Sequence, residues 1–62
     1  MVYIEELIDY DVNGKPKKRL LVDSVSGDLT GRTDLGVGSI AYVREETNKV
    51  QLLTATGWEA LR

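Results

Sequence analysis

The sequence predicts an all-β fold: a small domain of antiparallel β-hairpins and meander, with about five strands closing as a small barrel or sandwich. Three observations carry this. Apolar residues alternate along residues 2–12, an Asn13-Gly14 pair divides two β-like runs, and residues 39–61 read as strand, turn, strand, turn, strand.

Val2, Ile4, Ile8, Tyr10 and Val12 fall on alternate positions, interrupted by Glu6, while Glu5, Asp9 and Asp11 take the other parity. That is the two-residue period of a strand. A short helix over residues 4–11 competes, because Ile4, Leu7, Ile8 and Asp11 also sit at helical spacing and Glu-Glu-Leu-Ile has good helix propensity. Asn13-Gly14 favours the strand: both residues accept positive φ, as a tight hairpin turn requires. The return strand is predicted over residues 17–25, with Leu20, Leu21, Val22 and Val25 as its apolar content. Pro16 stands near its start, where a missing N–H is tolerated on an edge.

Ser26-Gly27-Asp28 stops that strand, and Thr30, Gly31, Arg32, Thr33, Asp34, Gly36 and Gly38 make a long loop rich in turn formers. In so short a chain such a loop is expected to bind a ligand or to pack on a neighbour. Residues 39–44 then read as a strand, Glu46-Thr47-Asn48 as a turn and residues 49–54 as the antiparallel partner. Thr56-Gly57 is a second turn before a last strand over residues 58–61. One domain, residues 1–62, holds all of these.

Size sets a further expectation. A 62-residue chain buries only about 60% of its unfolded surface, and cores of this size seldom supply more than ~3–5 kcal/mol without a staple. With one Trp, three Tyr and no Phe, this core rests on Val, Leu and Ile. The absence of Cys removes disulfides, and the absence of Cys and His together removes the soft ligands of zinc, copper and iron–sulfur sites. Oligomerisation remains, so a homo-oligomer or docking onto a larger assembly is expected. The same two absences remove the usual nucleophiles and general bases of neutral pH. A non-enzyme is expected, with no catalytic residue, metal or cofactor.

No run approaches the ~20 apolar residues of a membrane-spanning helix, and Met1 leads into Val2-Tyr3-Ile4-Glu5-Glu6 without the basic and apolar regions of a signal peptide. A soluble protein is expected. A net charge of -2 gives no global field toward nucleic acid or an acidic membrane.

Four short motifs carry possible chemistry. Asp9-x-Asp11-x-Asn13-Gly14 opens like a calcium-binding loop, but the twelfth position is Leu20 and Lys15, Lys17, Lys18 and Arg19 put positive charge where the cation would sit. Those four basic residues could instead contact phosphates. They equally suit an edge strand guarded by charge, with Asp9, Asp11 and Asp23 as neutralising neighbours. Residues 27–33 resemble a phosphate loop one residue too short and without its lysine, and Gly36-x-Gly38-x-x-Ala41 resembles a dinucleotide fingerprint but opens a strand. Glu5/Glu6 and Glu45/Glu46 are adjacent pairs, which a strand points to opposite faces. Trp58 is either an interface anchor or a core plug.

The run Gly38-Ser39-Ile40-Ala41-Tyr42-Val43, followed by Thr47, Lys49-Val50, Leu52 and Gly57-Trp58, resembles a β-hairpin pattern that recurs in bacteriophage virion and siphophage tail-cluster proteins. There a Gly-Ser pair opens a strand, Thr-x-Lys reverses it and Gly-Trp closes the unit. The chain departs from the pattern at Gln51, where an aromatic is usual, and near Val37, where a proline is usual. The resemblance implies a non-enzymatic role in particle assembly or attachment, in a virion or the host cytoplasm, with itself or other phage structural proteins as partners. The contact surfaces expected on this reading are Tyr42, Trp58, and Leu29, Arg32 and Leu35 of the long loop. The alternatives are a small nucleic-acid-binding barrel using Lys15, Lys17, Lys18 and Arg19, and a regulator that binds a host protein.

Overall fold

Alternation and the Asn13-Gly14 turn build the first hairpin, β1 (Val2–Tyr10) paired antiparallel with β2 (Pro16–Val22). Of residues 4–11, those through Tyr10 therefore take the strand reading and not the helical one, and Asp11 enters the turn. The computed structural model describes residues 1–47 and 49–61. Gly14 has φ +81, the left-handed conformation that glycine adopts without steric cost. Asp11 ties the turn: its Oδ1 accepts the N–H groups of Asn13 at 2.9 Å and Lys15 at 2.8 Å. These bonds, that of Lys15 foremost, hold the Asp11 carboxyl below its ordinary range. The acidic pattern before Asn13 thus closes a turn.

β2 ends at Val22, short of the predicted Val25, because Ser24 starts a single helical turn, α1 (Val25–Asp28). Ser24 Oγ accepts the Gly27 N–H at 3.0 Å, and Asp28 Oδ2 accepts the N–H groups of Asp23 and Ser24 at 3.0 and 3.1 Å. Such side-chain caps satisfy donors that a helix start leaves open. The chain's helical turn lies here, and not at the N-terminus.

Residues 23–39 then cross one face of the sheet and deliver β3 (Ile40–Val43) parallel to β2. β4 (Val50–Thr54) and β5 (Gly57–Ala60) follow as antiparallel neighbours. Asn48, expected in the turn before β4, lies outside the described residues. The strand order β1-β2-β3-β4-β5 is that of one open, mixed sheet with β1 and β5 at its edges. This corrects two expectations. The sheet is not purely antiparallel, since a long crossover returns the chain in the same direction, and it does not close into a barrel.

Leu20 and Val22 of β2 and Ala41 and Val43 of β3 form the sheet's side of the core, and Leu29 and Leu35 of the crossover form the other. Val25, Leu53 and Trp58 pack at its margin. Gly36 lets the crossover lie against the first hairpin. Its N–H donates to the Pro16 carbonyl at 2.8 Å, and a Cβ there would stand 2.6 Å from the Lys15 carbonyl oxygen.

Candidate protein-docking surface

Residues opposite one another on neighbouring strands share a face, so the register sorts the sheet into rows. On the covered side run Glu5, Leu20, Ala41, Gln51 and Ala60, and beside them Val2, Val22 and Val43. The other side carries one row of Ile4, Leu21, Tyr42 and Val50, and a second of Glu6, Arg19, Ile40, Leu52 and Glu59.

Among the described residues no element covers that second side. Ile4, Ile40 and Tyr42 are exposed by 46%, 38% and 49%, while Leu21, Val50 and Leu52 are half-buried between their neighbours. Isoleucine, leucine, valine and tyrosine thus make a contiguous apolar surface around the central strand. Charged residues, Glu6 with Arg19 on one flank and Glu59 on the other, border it. An apolar centre inside a polar rim is the anatomy of a protein interface, and patches of this kind mark interaction sites.

The β1 edge adds a second exposed feature. All nine of its residues are exposed, including Tyr3, Leu7, Ile8 and Tyr10. Two irregularities in its register, between Val2 and Ile4 and between Leu7 and Asp9, break the straight ladder. Bulges of this sort discourage an edge from recruiting further strands.

The sequence-predicted contacts are distributed differently from expectation. Tyr42 lies at the middle of the open face. Trp58 faces Leu53 across β4 and β5 and packs against the core margin, nearer to a core plug than to a surface anchor. Leu29 and Leu35 are 0% and 5% exposed, so neither is a surface contact: they are the crossover's apolar contribution to the core. Arg32 bridges the crossover to the first hairpin, with Nη2 2.9 Å from Glu5 Oε2 and Nε 2.9 Å from Asp34 Oδ1. The guanidinium holds the Asp34 carboxyl down at about 2 and, with Lys18, holds Glu5 below its ordinary range.

The basic tract is drawn into the fold as well. Lys15 Nζ donates to the Thr33 carbonyl at 3.1 Å, Lys18 pairs with Glu5, and Arg19 Nη2 lies 3.1 Å from Glu6 Oε1. Lys17 stands opposite Asp9, its stem beside Gly38. Carboxylates thus accompany Lys17, Lys18 and Arg19, three of the four positive charges that a phosphate backbone would need.

Sequence reasoning passed over Ile4, Leu21, Ile40, Val50 and Leu52. A signal for them exists. Leu20-Leu21-Val22 and Ile40-Ala41-Tyr42-Val43 are apolar at both parities, the pattern of strands that bury both faces. Only one face is buried here.

Among the described residues no group of three or more Asp, Glu, His or Cys could hold a metal ion, and no helix is long and apolar enough to cross a membrane. No protein-family model, curated protein or solved structure matches the chain.

Proposed function

We propose that this chain is a non-catalytic docking module that acts by protein–protein contact through the open face of its sheet, as a component of a larger assembly. The carrying observation is the pair of lateral rows with Ile4, Leu21, Tyr42, Val50, Ile40 and Leu52 on a side that no element among the described residues covers. Burial of apolar surface, at roughly 25 cal/mol per Å², is the driving force such a face supplies.

The resemblance of Gly38–Trp58 to phage hairpins makes that assembly a virion or tail, and the protein a structural or accessory part of it. The chemistry of the side chains agrees with a non-catalytic role, since neither imidazole nor thiol is present in the sequence. Against a nucleic-acid module stands the pairing of Lys18 and Arg19 with Glu5 and Glu6.

The test is incorporation. Tagged protein supplied during phage growth is followed through a density gradient of purified particles or tails, as wild type and as Tyr42→Arg. The wild type is expected to sediment with the particles and the variant to remain in the soluble fraction. Equal incorporation of both, or of neither, overturns the reading.

A further inference from the structure

Independently of what docks on the open face, we infer that Asn13-Gly14 is a site of spontaneous deamidation which the Asp11 clasp of the hairpin turn keeps shut, and whose conversion to isoaspartate undoes that clasp.

The residue pair meets the chemical requirement. A backbone nitrogen that follows asparagine lies one ring closure away from the side-chain amide carbon, and glycine, with no Cβ, leaves that nitrogen unhindered. The Gly14 N–H gives its proton to hydroxide, and the nitrogen forms a bond to Asn13 Cγ. The Cγ–Nδ2 bond breaks, and the amide group leaves as ammonia with a proton taken from water. Water then opens the five-membered imide at either carbonyl, which gives aspartate or isoaspartate at position 13. Nothing is oxidised or reduced. The only reactants besides the chain are water and hydroxide, and Val12, Asn13 and Gly14 are all exposed to them.

The fold holds the attacking nitrogen back. Val12-Asn13-Gly14 is a three-residue loop between Asp11 and Lys15, closed by the Asp11 N–H donating to the Lys15 carbonyl at 2.9 Å. A left-handed residue at the third position, here Gly14 at φ +81, is a common form of such loops. The Gly14 N–H itself donates to the Asp11 carbonyl at 3.0 Å, so its proton is engaged while the turn is closed. Asp11 Oδ1 grips both sides of the reacting pair, through the Asn13 and Lys15 N–H groups. Carboxylate acceptors make hydrogen bonds of the stronger class. Deamidation therefore proceeds from the opened turn, and exposed segments open locally without unfolding of the core.

The product acts back on the same contacts. Isoaspartate carries the main chain through its own side-chain carbons, which lengthens the loop between Asp11 and Lys15. The bonds from Gly14 to the Asp11 carbonyl and from Lys15 to Asp11 Oδ1 both span position 13 and lose their geometry. Asp11 also abuts the crossover, since a Cβ on Gly36 would stand 3.2 Å from Asp11 Cγ, and Lys15 Nζ reaches the Thr33 carbonyl. Loosening of the turn thus extends to the place where the crossover lies against the first hairpin.

Peptide mass mapping tests the inference on the full chain, incubated folded and in urea at neutral and mildly alkaline pH, with isoaspartate methyltransferase labelling the rearranged product. Asn13 is expected to convert about tenfold or more slowly in the folded chain than in urea, the scale set by charge-assisted bonds that must open first. Asn48, followed by Lys49, is the other asparagine of the sequence and is the internal control. Asp11→Ala, with folding checked by circular dichroism, is expected to raise the folded rate at Asn13 several-fold and to speed exchange of the Gly14 amide hydrogen in step, with Asn48 unchanged. The isoaspartate form, separated by its added charge, is expected to have a lower urea midpoint than Asn13→Asp, which carries the same charge on an ordinary backbone. Equal rates in the folded chain and in urea overturn the inference, as does no conversion of Asn13 in either. An unchanged rate in folded Asp11→Ala, or an isoaspartate form as stable as Asn13→Asp, overturns it too. The comparison of folded chain with urea uses the wild type alone, so it decides even where Asp11→Ala does not fold.

Discussion

The hydroxyl of Ser39 accepts the backbone N–H of Lys18 at 3.0 Å and donates to the Gly36 carbonyl at 2.8 Å. Ser39 is 0% exposed, and where the crossover joins the start of the parallel ladder its hydroxyl serves the Lys18 N–H, while the Gly36 carbonyl also accepts the Ser39 N–H at 3.1 Å. Ser39→Ala removes the acceptor of the Lys18 N–H, at a cost of about 1–3 kcal/mol. The expected outcome is a lower urea midpoint at unchanged slope. Wild-type stability in this variant would show that water reaches the site.

Gly36 sits beside the same junction, and the crossover can approach the first hairpin only because no side chain intervenes. Gly36→Ala places a Cβ 2.6 Å from the Lys15 carbonyl oxygen, a backbone atom that cannot swing aside. A loss of about 1–3 kcal/mol is expected, the range for overpacked sites. Thermal unfolding followed by the fluorescence of Trp58, the one Trp of the sequence, measures it.

Leu29 is the largest fully buried side chain. Truncation to alanine at such a site costs about 2–5 kcal/mol, comparable to the ~3–5 kcal/mol that cores of this size supply. Leu29→Ala is therefore expected to populate the unfolded state strongly at room temperature, with loss of β-sheet circular dichroism. A Leu29→Ala protein that stays folded but loses its partners would return this residue to the surface role first expected of it.

The sequence shows the hairpins and hides how they are joined. Asn13-Gly14 and Thr56-Gly57 mark reversals by local backbone preference, and each flanking run declares its own two-residue period, so β1/β2 and β4/β5 are legible. Neighbour relations across long connections are not, because period two says which residues share a face and nothing about which strand lies beside them. The length of residues 23–39 is the clue to the parallel pair: a crossover to a parallel strand needs a dozen or more residues. Leu29 and Leu35 were hidden for a related reason. Isolated leucines among Gly, Thr and Asp look like loop, and only a sheet face beneath them turns them into core. Tyr42 lies exposed on the open face, and its neighbours Leu21 and Leu52 join it in one surface only once β2, β3 and β4 are placed side by side.

Acid is expected to loosen the crossover's attachment to the first hairpin. Asp34 is held at about 2 chiefly by its hydrogen bond to Arg32, and Glu5 is lowered chiefly by Arg32 and then by Lys18. An acid whose pKa is lower folded than unfolded contributes stability in full above its unfolded value. That contribution is lost as pH falls toward the folded one. With ordinary values near 3.9 for Asp and 4.3 for Glu, the loss begins near about pH 4 and proceeds toward pH 2. Asp34 is 55% exposed at its side chain, so solvent screening limits the contribution of its pair to about 0–1 kcal/mol. Urea midpoints measured between about pH 5 and 2 should therefore fall for the wild type and fall less for Arg32→Gln, which starts lower and has less to lose. The difference between the two should shrink in high salt. Parallel pH profiles for the two proteins would mean that Arg32 holds the crossover by packing its stem and not by charge.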